Sequence, residues 1–137
     1  MDAIDLYLTE LEQVIHNLSR DDVRATADAL MDAWRNRQQI FIIGNGGSAA
    51  TASHMMNDLN KFTRVGGKPR FRAIALTDNV PWLTAVGNDQ GYNDIFVEPL
   101  MSLLEPGDTI LAISASGNSP NIVKAVEYGK AHGARII

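Results

Sequence analysis

With 137 residues, 45% of them apolar, the chain has the size and composition of one globular domain and not of a disordered or repeat protein. Twelve basic against sixteen acidic residues give a formal charge of -4, which removes any general electrostatic case for wrapping nucleic acid or lying on an anionic membrane. Cysteine is absent, so disulfides, thiolate zinc sites and cysteine nucleophiles are ruled out, as suits a reducing compartment.

The first residues, MDAIDLYLTELEQ, are acidic where a signal peptide would be basic, and no apolar run approaches the ~18 residues of a membrane span. A soluble, cytoplasmic protein is expected. Ile4, Leu8, Leu11, Ile15 and Leu18 recur at helical spacing. The same positions form a heptad seam, so this first helix could pack on a partner subunit or on its own domain. SRDD, from Ser19, reads as the capping-box start of a second helix carrying Val23, Ala27, Leu30 and Trp34.

After Arg37 come four short apolar runs: QIFII (39–43), FRAIAL (71–76), DTILAIS (108–114) and ARII (134–137). Strands that are apolar on both faces and separated by helical patterns indicate a mostly parallel sheet covered on both sides. Helices are expected from Ser48 to about Lys61, Pro81 to about Gly87, Ile95 to Leu104 and Pro120 to about His132, with Gly133 capping the last. The chain therefore reads as a single α/β domain over 1–137, with a helical pair (1–37) before the core (38–137). ARII should be a central or near-central strand, yet no helix follows to cover it, so the core is expected to be truncated at its carboxyl end.

Two strand-to-helix corners stand out: GNGGS, Gly44 to Ser48, and SASGNS, Ser114 to Ser119, the latter followed by Pro120 at a first helical position. Glycines let the backbone approach a ligand, and free amides at a helix start favour an anion. Ser114, Ser116, Asn118 and Ser119 add uncharged donors, which makes a compact cup for one phosphate. The ordinary alternative is that Ser48 and Ser119 are N-caps beside plain turns. GNGGSA also satisfies the dinucleotide pattern G-x-G-x-x-A at Gly44, Gly46 and Ala49, with Asp78 as a ribose-binding acid, although that site would leave SASGNS unused. No GK[ST] follows either corner, which excludes a P-loop.

His54 and Asp58 lie four residues apart and share a helical face. Such a pair can supply two ligands of a divalent metal or a base beside a polarising group, or can be a solvated helix face. Asn88, Asp89, Asn93 and Asp94 in VGNDQGYNDIF suit either turns or sugar hydroxyls. KFTRVGGKPRFR, with Lys61, Arg64, Lys68, Arg70 and Arg72, reads first as a solvated loop and second as an anion-steering or subunit-contact patch.

Together GNGGSAATASH, AIALTDNVPWLTAVGNDQGYNDIF and GDTILAISASGNSPNIVKAVEYGKAHGARII resemble the sugar isomerase (SIS) domain, in particular its phosphoheptose isomerase branch, over nearly the whole chain. The resemblance implies a flavodoxin-like three-layer sandwich. It puts Ser114, Ala115, Ser116 and Ser119 on the phosphate loop, Asn45, Gly46 and Gly47, with Ser48 at their end, on a substrate turn, and Asn88 and Asp89 on a further substrate contact. It makes His54 a ligand of one zinc ion, and puts Asp58 where the family has a Glu that is both metal ligand and catalytic base. The family's remaining ligands, a Gln and a His, come from a later helix beyond this chain. Homotetramers with active sites between subunits are implied as well.

The activity so implied is isomerisation of sedoheptulose 7-phosphate in heptose and lipopolysaccharide synthesis. A base takes the proton beside the carbonyl, and the enediolate is reprotonated on the neighbouring carbon. The alternative is a non-catalytic SIS module that binds a phosphosugar or bridges partners, as the DnaA initiator-associating protein does. Neither reading involves direct contact with nucleic acid or membrane.

Overall fold

The computed structural model describes residues 2–137, so Met1 of the expected domain lies outside it. Two helices lead, α1 (Ala3–His16) and α2 (Arg20–Arg35). Strand β1 (Ile40–Gly44) and helix α3 (Gly47–Asn57) follow, and α3 runs on into a π-turn at Asp58–Phe62. Next are β2 (Ala73–Ala75), α4 (Val80–Asp89), a 3₁₀ turn (Tyr92–Asp94) and α5 (Val97–Leu103). The chain closes with β3 (Thr109–Ile113), α6 (Pro120–Ala131) and β4 (Arg135–Ile136).

All four strands pair in parallel, in the order β2-β1-β3-β4. Alternate residues of β1 face opposite layers. Phe41 and Ile43 join Leu76, Val86, Ile95, Phe96, Leu100, Ile110 and Ile122 beneath α4, α5 and α6. Ile40 and Ile42 join Ala33, Ala52, Ala73, Ala75 and Leu111 beneath α2 and α3. This is the expected three-layer sandwich, and every expected strand is found within two or three residues. Among the described residues β4 lies beyond β3, at the end of the order β2-β1-β3-β4.

The leading helices differ from expectation in detail. The capping box forms at Asp2, which accepts from Ile4 and Asp5 while Asp5 reaches back to the cap backbone. At Ser19 only half of it is present: the hydroxyl accepts from Asp22 N–H at 3.2 Å. The face of α2 that packs on the sheet is Ala29 and Ala33 with Leu30, and Val23 stays exposed. Trp34 anchors the far end, its indole N–H donating to Pro69 O at 2.8 Å. No residue of α1 is buried, so the Ile4 to Leu18 seam is left uncovered by the described residues.

Candidate functional site

Strand β1 ends beside β3, with Gly44 in register with Ile113, so the two glycine- and serine-rich corners leave adjacent strands on one rim. In a sheet of this order the β1/β3 pair is the point where the winding reverses, the usual ligand position in doubly wound folds. A dinucleotide domain would place β1 between β2 and β4, which is not the order seen. Asp78 is also engaged, since its Oδ1 accepts from the hydroxyls of Ser53 and Thr77. The dinucleotide reading is set aside on both counts.

The first corner is built by glycines for separate reasons. A Cβ at Gly44 would lie 2.7 Å from the Ser48 carbonyl oxygen, so only glycine lets α3 start this close to the strand. Gly46 takes φ 54°, a left-handed backbone that L side chains rarely adopt. It is also the N-cap of α3, which puts Ser48 inside the first turn and not at the cap.

In the second corner Ser114 Oγ accepts from Gly117 N–H and Ser116 Oγ accepts from Asn118 N–H, each at 3.2 Å. A hydroxyl whose oxygen is used this way still has its proton to donate. Asn118 turns its amide back onto Ser116 O at 2.8 Å, so it braces the loop. Ser119 stands at the N-cap of α6 but makes no side-chain cap bond, and Pro120 behind it has no N–H to offer. Neither serine is therefore an ordinary cap. Asn45, Ser48, Ile113, Ser114, Ala115, Ser116 and Ser119 line one cavity of about 240 Å³, at the amino ends of both α3 and α6.

Along α3 a stripe at i, i+4, i+7 and i+11 joins Gly47 to Thr51, His54 and Asp58. His54 Nε2 lies 3.3 Å from Asp58 Oδ2, and both line a second cavity of about 520 Å³ with Ala50, Thr51, Met55, Leu59 and Thr63. Asp58 opens the π-turn. Asn60 within that turn forms two bonds to the edge strand, donating to Ala73 O at 2.9 Å and accepting from Ala73 N–H at 3.0 Å. His54 and Asp58 offer a divalent ion two donors, but among the described residues no group of three His, Cys, Asp or Glu side chains could hold one. His16 is exposed at the end of α1, and His132 stacks on Tyr128 at 4.0 Å. Two donors alone do not complete a divalent-metal site.

Asn88 and Asp89 end α4 in the open, bonded to each other at 2.7 Å, and line neither cavity. The basic side chains of the run are exposed, and two of them donate to backbone carbonyls: Arg64 to Lys61 O, and Arg72 to Arg37 O outside the run. Sequence reasoning missed Asn121, Tyr92 and Asn60. Asn121 is buried on the first turn of α6 and pairs with Asn45, and Tyr92 reaches the same Asn45 from the 3₁₀ turn. Only contact across the fold distinguishes these side chains from ordinary turn formers.

A parallel sandwich with paired anion-type corners at its switch point defines a ligand-binding α/β domain, and the chain belongs to the SIS domain family, whose model matches residues 6–137. Among curated relatives it is 33% identical over 133 residues to the phosphoheptose isomerase of Chlorobaculum parvum, covering 96% of this chain and 64% of that one. It is 38% identical over 115 residues to that of Trichlorobacter lovleyi, covering 84% and 58% respectively. The chain thus spans roughly three-fifths of the length of these relatives. The solved phosphoheptose isomerase GmhA from Neisseria gonorrhoeae superposes with a TM-score of 0.86 at 28% identity, over 97% of this chain and 70% of that one.

Proposed function

We propose that the protein is a phosphosugar ketose-aldose isomerase acting on sedoheptulose 7-phosphate in the cytoplasm, within heptose synthesis for lipopolysaccharide. The observation that carries the proposal is the cavity shared by the two corners, lined by hydroxyls whose protons remain for an anion. The helix starts add partial positive charge there. The similar proteins named phosphoheptose isomerase support the sugar. From Gly47 to His54 the helix rises about 10 Å, so a ligand with its phosphate in the cup must be elongated to reach the His54–Asp58 pair.

In this reading the phosphate fixes one end of the sugar and so positions the other. Asp58 takes the proton beside the carbonyl, and His54 beside it orients the carboxylate. A zinc ion, if held at this pair, would supply Lewis-acid polarisation of the carbonyl. His54 and Asp58 would supply two of its ligands, the rest coming from outside the described residues. Asp in place of the family's Glu shortens the reach by one methylene, and a displacement of ~1 Å can cost a large part of the rate. The test is turnover of sedoheptulose 7-phosphate by the intact gene product. Asp58→Asn should lower kcat about 100-fold or more; undiminished turnover would remove Asp58 from the chemistry.

Self-association belongs to the same proposal. Ile4, Leu8, Leu11, Ile15 and Leu18 are exposed on α1, and a second copy is the occupant that a heptad seam suits, in a tetramer as in the resembling family. The incomplete set of metal donors favours one rival, a SIS module that binds without catalysing. Stoichiometric zinc in the intact gene product supports the isomerase. Sugar-phosphate binding without zinc supports the module.

A further inference from the structure

Asn121 is 1% exposed, and its amide forms a reciprocal pair with Asn45 on the other corner. Asn45 Nδ2 donates to Asn121 Oδ1 at 2.9 Å, and Asn121 Nδ2 donates to Asn45 Oδ1 at 2.8 Å. A side-chain amide can ordinarily turn over and exchange its oxygen for its nitrogen. Here the backbone disfavours it: Ile122 N–H, shared between Ser119 O and Asn121 Oδ1 at 3.0 Å each, would face an NH2 group if the Asn121 amide turned over. The Asn121 nitrogen must then meet an oxygen, which fixes Asn45 in turn. Tyr92 hydroxyl donates to the same Asn45 Oδ1 at 3.1 Å and occupies its second lone pair. Asn45 lines the serine cavity, and its second Nδ2–H has no partner among the described residues.

We infer that Asn121 is a positioning residue for anion binding: with Tyr92, it holds the Asn45 amide so that an N–H, not a carbonyl oxygen, faces the cavity between the two corners. The inference rests on the phosphosugar reading and deepens it. Ser114 and Ser116 already donate there because their oxygens are engaged, and a turned Asn45 would set an acceptor against the phosphate. The locked pair adds an N–H donor to the hydroxyl donors of the lining. It also ties the amino end of α6 to the β1–α3 corner, which holds the two halves of the cup at one separation.

The probe is inorganic phosphate, titrated into the chain, into Asn121→Leu and into Tyr92→Phe, with the side-chain amide signals of Asn45 followed by NMR. In the native chain one Asn45 Nδ2 proton should exchange slowly and shift on phosphate addition. Asn121→Leu should weaken phosphate binding about tenfold and abolish that shift, the loss expected of one charge-assisted bond. Tyr92→Phe keeps the ring, which is largely exposed, and so leaves folding intact. It should weaken binding about two- to threefold and speed exchange of the Asn45 amide, a change that a purely structural role of Tyr92 would not produce. Native phosphate affinity in both variants, or native Asn45 signals indifferent to phosphate, overturns the inference. A native chain that binds no phosphate defeats the phosphosugar reading itself.

Discussion

Ser119 shows how much a residue's meaning depends on its neighbours. Serine before a helix is ordinarily a cap, yet here its hydroxyl makes no cap bond and faces a cavity with Ser114 and Ser116. Ser116→Ala removes a hydroxyl donor to a charged ligand and should weaken sedoheptulose 7-phosphate binding by about 1.5–3 kcal/mol, measured by calorimetry with unfolding as control. Gly44 belongs to the same corner for a packing reason. Gly44→Ala would force a methyl to within 3 Å of Ser48 main-chain atoms and should cost about 1–3 kcal/mol of stability in urea unfolding. Such residues were legible because glycine and serine clusters are local signals. Asn121 was not, since its partner is 76 residues away.

Among the elements, strands were the easiest to read, because a buried parallel strand shows as a bounded apolar run. Helix ends were harder. Val80–Asp89 runs past the expected stop at Gly87, and the helix expected from Ser48 to about Lys61 changes to a π-turn at Asp58, a switch that no periodicity announces. That turn is held by Asn60, whose amide satisfies both polar groups of buried Ala73 on the edge strand. Asn60→Ala should cost about 1–3 kcal/mol and speed exchange of the Ala73 amide, since that N–H would lose its partner. At the other end of the strand order, Asp32 on α2 joins Arg135 of β4, and the hydrogen bond from Arg135, with Arg35, holds its carboxyl below the usual 3.8. A lowered folded-state pKa gives stability that is present above that ordinary value and lost as pH falls through the folded one. Melting temperature followed into acid should show this loss, and Asp32→Asn should flatten that part of the curve.

At the scale of the molecule, the sequence pattern conveyed the α/β class and the parallel sheet, but not the strand order β2-β1-β3-β4. Strand order is a property of the whole chain. The exposed seam of α1 is a second whole-molecule feature: the heptad was visible in the sequence, while its exposure among the described residues required the fold. Leu8→Glu with Ile15→Glu should shift the protein toward monomer in light scattering without lowering the stability of the sandwich, because neither side chain is buried. Everything functional depends on the two corners acting on one ligand. The direct measurement is a backbone NMR titration with sedoheptulose 7-phosphate: saturable shifts should appear together at Gly46, Gly47, Ser116 and Ser119 with one dissociation constant. Shifts confined to one corner, or none at millimolar sugar phosphate, would contradict the account.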